Sequence, residues 1–130
     1  MAVEACGICG TDLTAAANAA DWKPFGHEIA GVVDAVGPAV SNVAVGERVA
    51  LQSSSYCGTC ERCRNGRVDL CRGAVASFWS QPAMGFSDRM LAPADHAVPS
   101  EDLDPAVACL AEPAGVAFDL VQTADIRMGD

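Results

Sequence analysis

The stretch Tyr56-Cys57-Gly58-Thr59-Cys60-Glu61-Arg62-Cys63-Arg64-Asn65-Gly66-Arg67-Val68-Asp69-Leu70-Cys71-Arg72 carries four of the chain's seven cysteines, separated by two, two and seven residues. Zn²⁺ holds soft thiolates tetrahedrally at about 2.3 Å. Gaps of two residues turn successive sulfurs toward one ion, and the longer gap brings the last sulfur in from the far side of a loop. No hydrophobic periodicity runs through residues 56–72, so an ion rather than an apolar core has to order them. Free or disulfide-bonded cysteines are the competing reading. Metal-type spacing with no visible secretory leader favours thiolates in a reducing, cytoplasmic setting. Cys57, Cys60, Cys63 and Cys71 are therefore read as a structural zinc lobe, closed to substrate because all four positions are thiolates.

Outward from the lobe, the bulk properties narrow the function classes. With 130 residues, 51% of them hydrophobic and 19% charged, the chain has the balance of one soluble globular domain with a modest core. Eight basic residues against seventeen acidic ones, a net charge of −9, argue against nucleic-acid backbones and anionic membrane surfaces as partners. The one basic patch, Arg62, Arg64, Arg67 and Arg72, reads as counter-charge for the thiolates. No apolar run is long enough to span a bilayer.

Local patterns predict a mainly β fold with a few helices. Val3-Glu4-Ala5-Cys6 reads as the end of a strand. An Ala-rich helix is expected over residues 13–20, capped by Thr11 or Asp12 and ended near Trp22-Lys23-Pro24. Strands are expected over residues 29–36, with Gly31 as a bulge or close-approach point, and over residues 48–51, 86–92 and 95–98. Asp104-Pro105 has the chemistry of a helix start. A further helix over residues 113–124 carries an apolar face of Ala114, Val116, Ala117, Leu120 and Val121.

A second, fainter set of metal donors lies outside the lobe: Cys9, His27, Glu28 and Glu112. Three protein donors with an open position are the pattern of a catalytic zinc. Whether these residues converge is not fixed by spacing, and Cys6-Gly7-Ile8-Cys9 can also be read as a redox pair at a helix start. Cys109 reads as a buried small hydrophobe, and His96 as a surface or hydrogen-bonded histidine. Trp22, Trp79 and Phe86 are cleft candidates, although aromatics of this kind are usually core or interface residues.

Cys6-Gly7-Ile8-Cys9-Gly10-Thr11-Asp12-Leu13, Gly26-His27-Glu28-Ile29-Ala30-Gly31, Gly46-Glu47-Arg48-Val49, the four-cysteine spacing and Glu112-Pro113 follow one another in the order found in zinc-dependent medium-chain dehydrogenases. The chain resembles this superfamily of alcohol, sorbitol and threonine dehydrogenases over nearly its whole length. The resemblance implies a GroES-like, partly open β-barrel over residues 1–130 with the zinc lobe at 56–72. It further implies one structural and one catalytic zinc. Cys9, rather than Cys6, and His27 would be catalytic-metal ligands, with Glu112 as the third and Glu28 approaching the metal in exchange with water. Asp12 would orient the His27 ring, and Thr11 would hydrogen-bond the reacting oxygen. The implied cofactor is NAD or NADP and the implied substrate a small alcohol, polyol or cyclitol, with homo-oligomers expected only of a full-length enzyme.

Two departures qualify the resemblance. Many members have a histidine where this chain has Thr14, and a hydroxyl relays a proton without storing one near neutrality. The dinucleotide-binding Rossmann domain, with its Gly-x-Gly-x-x-Gly loop, is not found within these residues, nor are strands expected ahead of Val3. The expectation is of a fragment or isolated domain, incomplete at its N-terminus, with negligible turnover by itself. The short segment 14–25 is expected to leave the cleft open to a bulkier sugar alcohol or cyclitol. The alternative function is a non-catalytic zinc module in which only the four-cysteine site is filled. A zinc-free quinone-reductase-like protein is more distant, because such proteins lack these ligands.

Overall fold

The computed structural model describes residues 1–53, 56–71, 73, 81–100 and 102–125. Among these, four strands form one open antiparallel sheet in the order β1 (Ala2–Gly7), β2 (Glu28–Val32), β3 (Arg48–Leu51) and β4 (Ala97–Pro99). The helices are α1 (Gly10–Ala17), α2 (Glu61–Arg64), α3 (Pro105–Ala108) and α4 (Ala111–Thr123). The expected mainly β architecture with a few helices is the one observed.

The two faces of the sheet follow from alternation along its strands. Ile29, Val49 and Leu51 point to one side and pack with Val33, Met84 and Met90. Ala30 and Ala50 point to the other, where their small side chains let Ala108 and Cys109 close over the sheet. Cys109 is the buried small hydrophobe expected of it. Gly31 stands opposite Val3, and a side chain there would collide with the Ala2 carbonyl, so the close approach predicted at Gly31 is real. The register slips nearby, between Val3 and Ala5 of β1.

Several boundaries differ from the sequence expectation. Helix α1 begins at Gly10 with Cys9 as N-cap, earlier than expected, because the Asp12 carboxylate accepts the Cys9 N–H at 2.9 Å and so works from inside the first turn. Strand β2 ends at Val32, not at residue 36; beyond Val33 the chain leaves the ladder, and Asp34 pairs with Arg89 at 2.8 Å. Residues 86–92 are not a strand. Ser87 Oγ donates to the carbonyls of Met84 and Arg89, giving the backbone a local alternative to a ladder. That segment still edges β1 through the bonds Val3 N–H to Asp88 O and Met90 N–H to Met1 O, both 3.0 Å, and a lone bridge between Ala2 and Arg89. The strand expected over 95–98 begins as a single turn of 3₁₀ helix, Ala94–His96, and becomes β4 at Ala97.

Helix α3 starts as its sequence requires, with Asp104 Oδ1 accepting the Ala106 N–H at 2.9 Å and Pro105 in the first turn. Helix α4 begins at Ala111, and its apolar residues Val116, Leu120 and Val121 are each at least 50% exposed. Trp22 is 85% exposed and Phe86 is half-exposed, so neither is a core residue; Trp79, Arg72 and the Met128-Gly129-Asp130 turn lie outside the described residues.

Candidate metal centres

In the lobe, Gly58 and Gly66 adopt φ of +69° and +76°, which lets the backbone fold back on itself around α2. The sulfurs of Cys57, Cys60, Cys63 and Cys71 come together with Sγ···Sγ separations of 3.5 Å (Cys60–Cys63), 3.6 Å (Cys57–Cys71), 3.9 Å (Cys60–Cys71) and 4.0 Å (Cys57–Cys63). A tetrahedron with metal–sulfur bonds of about 2.3 Å has edges of about 3.8 Å, so the four sulfurs already outline a zinc site. The same distances are far beyond the S–S bond of about 2.05 Å that a disulfide requires. Every cysteine in the chain is unpaired.

Electrostatics divide the four thiols. Hydrogen bonds from the Thr59 backbone, the Thr59 hydroxyl and the Cys60 backbone bring Cys57 down to about 6. The Cys63 backbone N–H lowers Cys60. Desolvation, followed by the neighbouring Cys60 sulfur, pushes Cys63 up to about 12. Four thiolates this close repel one another, and a divalent cation at their centre removes the conflict.

The second group forms where the start of α1 meets the start of β2. Donor atoms of Cys9, His27 and Glu28 lie within 4.8 Å of one another. His27 and Glu28 are 5% and 6% exposed, and Asp12 beside them is 6% exposed. Glu28 pairs with Gly7 across the β1–β2 ladder, and its carboxylate occupies the space that a Gly7 side chain would fill. Asp12 binds the pieces together: Oδ2 accepts the Cys9 N–H at 2.9 Å, Oδ1 accepts the Gly26 N–H at 3.3 Å, and Oδ1 lies 3.4 Å from His27 Nδ1. Gly26 has φ +92°, and a side chain there would press on Cys6 Sγ and the Phe86 backbone nitrogen.

This donor set fits a zinc-type ion. It joins a thiol, an imidazole and a carboxylate, and it buries two carboxylates beside one imidazole, an excess of negative charge that a divalent cation balances. Cys6 does not belong to it: burial, with Asp12's charge adding to it, pushes the Cys6 thiol up to about 12, which removes the thiolate that a redox pair with Cys9 needs.

Glu112 stands apart from these three donors. It sits in the first turn of α4, where its Oε1 accepts the Ser53 hydroxyl at 2.9 Å. Thr11 is exposed and, with Asp12, Phe25 and Met84, lines a cleft of about 340 Å³. Thr14 donates its hydroxyl to the Gly10 carbonyl within α1 at 3.0 Å. His96 is buried at 2% exposure and hydrogen-bonded through Nδ1 to the Gln52 carbonyl at 2.8 Å. Of the residues around these sites, sequence reasoning missed Ser53. It opens a run of three serines with no motif spacing, and nothing in the sequence marks it.

Known proteins share this sequence pattern and fold. Residues 1–102 match the alcohol dehydrogenase GroES-like domain. The chain is 36% identical over 138 residues to an L-arabinitol 4-dehydrogenase of Aureobasidium melanogenum, covering 100% of this chain and 37% of that protein. It superposes with a TM-score of 0.80 and 27% identity on a cobalt- and zinc-bound thermostable alcohol dehydrogenase from Pyrobaculum aerophilum, covering 100% of this chain and 41% of the other. A short chain alcohol dehydrogenase from Escherichia coli CFT073, solved with NADH, matches with a TM-score of 0.72 and 30% identity, covering 93% of this chain and 36% of the other. The chain thus spans between 36% and 41% of the length of these relatives. The chain therefore belongs to the alcohol dehydrogenase GroES-like domain family, and its relatives include zinc-type alcohol and polyol dehydrogenases.

Proposed function

We propose that the chain is the metal-bearing catalytic domain of an NAD(P)-dependent alcohol or polyol dehydrogenase, with Cys9, His27 and Glu28 holding a catalytic zinc and the four-cysteine lobe holding a structural one. The observation that carries this reading is the Asp12 carboxylate, which ties the Cys9 backbone to the His27 ring beside a buried Glu28.

When bound, the catalytic ion would act as a Lewis acid on an alcohol or carbonyl oxygen. The protein's own groups do the rest. Asp12 faces Nδ1 of His27 and so leaves Nε2 as the ligand nitrogen. Thr11, at the rim of the 340 Å³ cleft, is placed to donate a hydrogen bond to the substrate oxygen and to pass its proton on. Thr14 would not carry that proton further, because its hydroxyl is committed to Gly10. Glu112 is the alternative carboxylate for the ion. Small alcohols, polyols or cyclitols are the substrate class, and the hydride acceptor would be held mainly by sequence that relatives carry beyond this length. Turnover by these 130 residues alone is expected to be negligible. A cytoplasmic enzyme is the expected setting; among the described residues no helix is long and apolar enough to cross a membrane.

Metal analysis tests the reading. Two zinc ions per chain, falling to one in Cys9→Ala, support it. One ion per chain, unaffected by Cys9→Ala and lost in Cys60→Ala, would instead support a non-catalytic module.

A further inference from the structure

Asn65 and Gly66 close the C-terminal end of α2 on the carbonyl of a lobe cysteine. The Gly66 N–H donates to the Cys63 carbonyl at 3.0 Å, and the Arg67 N–H reaches back to the Arg62 carbonyl at 2.9 Å. With Gly66 at φ +76°, these two bonds make a left-handed cap that satisfies the last carbonyls of a helix. An asparagine followed by glycine is also a reactive pair. The glycine nitrogen can attack the asparagine side-chain carbon, and glycine has no Cβ to obstruct it. The folded lobe withholds that geometry: Asn65 has ψ 13°, which turns the Gly66 nitrogen away from the exposed side chain, and Cys63 engages the Gly66 N–H.

This cap is not held by the helix itself. Helix α2 has four residues, none of them buried, whereas isolated helices shorter than about 12–15 residues are marginal in water. Two lobe thiols sit on this single turn, Cys60 as its N-cap and Cys63 within it. An ion bound to both sulfurs pins the turn at two points, so metal binding and the order of the cap are coupled.

We propose that Asn65 is a deamidation site gated by the lobe's metal, protected while the four thiolates hold an ion and converted once the ion leaves, so that metal loss becomes irreversible. The proposal rests on the structural-zinc reading above. In the step, the Gly66 nitrogen gives its proton to hydroxide and bonds to Asn65 Cγ, and the side-chain nitrogen leaves as ammonia. Water then opens the resulting cyclic imide at either carbonyl, leaving aspartate or isoaspartate at position 65. Isoaspartate routes the main chain through the side chain. That adds a methylene between Cys63 and Cys71 and removes the Gly66 bond to Cys63, so the sulfurs no longer meet in one tetrahedron. The other two asparagines lack the pairing. Asn18 precedes Ala19 and Asn42 precedes Val43, and their amides donate to the Thr14 and Ala94 carbonyls, each at 2.7 Å.

Incubation in warm, mildly alkaline buffer with the thiols kept reduced tests the gate, read by peptide mass mapping and enzymatic detection of isoaspartate. The conversion rate follows the open population of the lobe, which excess zinc lowers by mass action. Metal-free chain is expected to convert at position 65 at least about tenfold faster than zinc-loaded chain, with Asn18 and Asn42 unchanged in both. Chelator competition in a Cys9→Ala background then reads the lobe alone. Aged metal-free chain is expected to rebind zinc at least about tenfold more weakly than fresh chain. Asn65→Gln, whose longer side chain closes the ring poorly, is expected to age unmodified and to rebind as fresh protein does. Equal rates with and without zinc, or conversion of Asn18 or Asn42 ahead of Asn65, overturn the proposal and leave the structural-zinc reading standing. Rebinding at full strength by the modified chain overturns the irreversible loss. A fresh lobe that takes up no zinc overturns the structural-zinc reading and the proposal with it.

Discussion

Asp12 and His27 face each other at 3.4 Å, Oδ1 to Nδ1, with both side chains almost wholly buried. The same carboxylate accepts the N–H of Cys9, the N-cap of α1. One side chain therefore sets the ring of one proposed ligand and the backbone of another. Asp12→Ala removes both at once. Loss of a helix-cap interaction costs about 1 kcal/mol, and loss of a partner behind a metal-binding histidine costs about 10–100-fold in metal affinity. The expected outcome is a measurable fall in urea midpoint together with weaker zinc retention at the second site. Chelator competition checks the affinity, and an unchanged affinity would remove Asp12 from the centre.

Gly26 precedes His27 and is the hinge on which the ligand is presented. Its φ of +92° suits glycine alone, and an added Cβ would lie 2.7 Å from Cys6 Sγ and 2.8 Å from the Phe86 nitrogen. Gly26→Ala should therefore destabilise by more than the roughly 1 kcal/mol of an uncrowded replacement at positive φ. Gly46 has φ +94° with open space around it, so Gly46→Ala carries the conformational strain without the collision. Denaturant titration of the two variants should rank Gly26→Ala as clearly the worse.

Asp34 gives a pH dependence with a definite sign. Hydrogen bonds from the Met1 ammonium and then Arg89 hold its carboxyl down to about 2, below the ordinary 3.8. A carboxyl lowered on folding adds stability that is complete above its unfolded value and lost as pH falls through its folded one. The wild type should therefore lose stability between about pH 4 and pH 2, and Asp34→Asn should show a flatter profile there. Urea midpoints across that window check it; parallel curves for the two proteins would show that the Asp34 pairs contribute nothing. Because Asp34 is a surface group, the difference should shrink in high salt.

The sequence made some of these relationships legible and hid others for physical reasons. The lobe could be read because its ligands are local: thiolates two residues apart have few ways to miss one ion. Strand β3 could be read because Val49, Ala50 and Leu51 are bounded by turn chemistry. The second centre was only suggestive, since Cys9 and His27 are brought together by a strand pairing, β1 with β2, that no local pattern specifies. Glu112 could be picked out by its neighbouring proline, but its engagement with Ser53 depends on how α4 docks beside the end of β3. The failed strand over residues 86–92 has a similar origin. Its hydrophobic pattern was adequate, but the Ser87 hydroxyl competes for the backbone.

The cysteines provide a last prediction that separates the two centres by chemistry alone. In metal-free protein at neutral pH, Cys57 is exposed and sits at about 6, so most of it is thiolate. Cys6, at about 12, is thiolate to roughly one part in 10⁵ and is half-buried as well. Cys109 is buried, and desolvation raises it too. Brief iodoacetamide treatment followed by peptide mass mapping should therefore label Cys57 first and leave Cys6 and Cys109 untouched. Adding one equivalent of zinc should protect Cys57, because its sulfur would then be committed to the metal. Rapid labelling of Cys6 would contradict its placement away from solvent, and labelling of Cys57 that zinc does not slow would remove it from the lobe's ligand set.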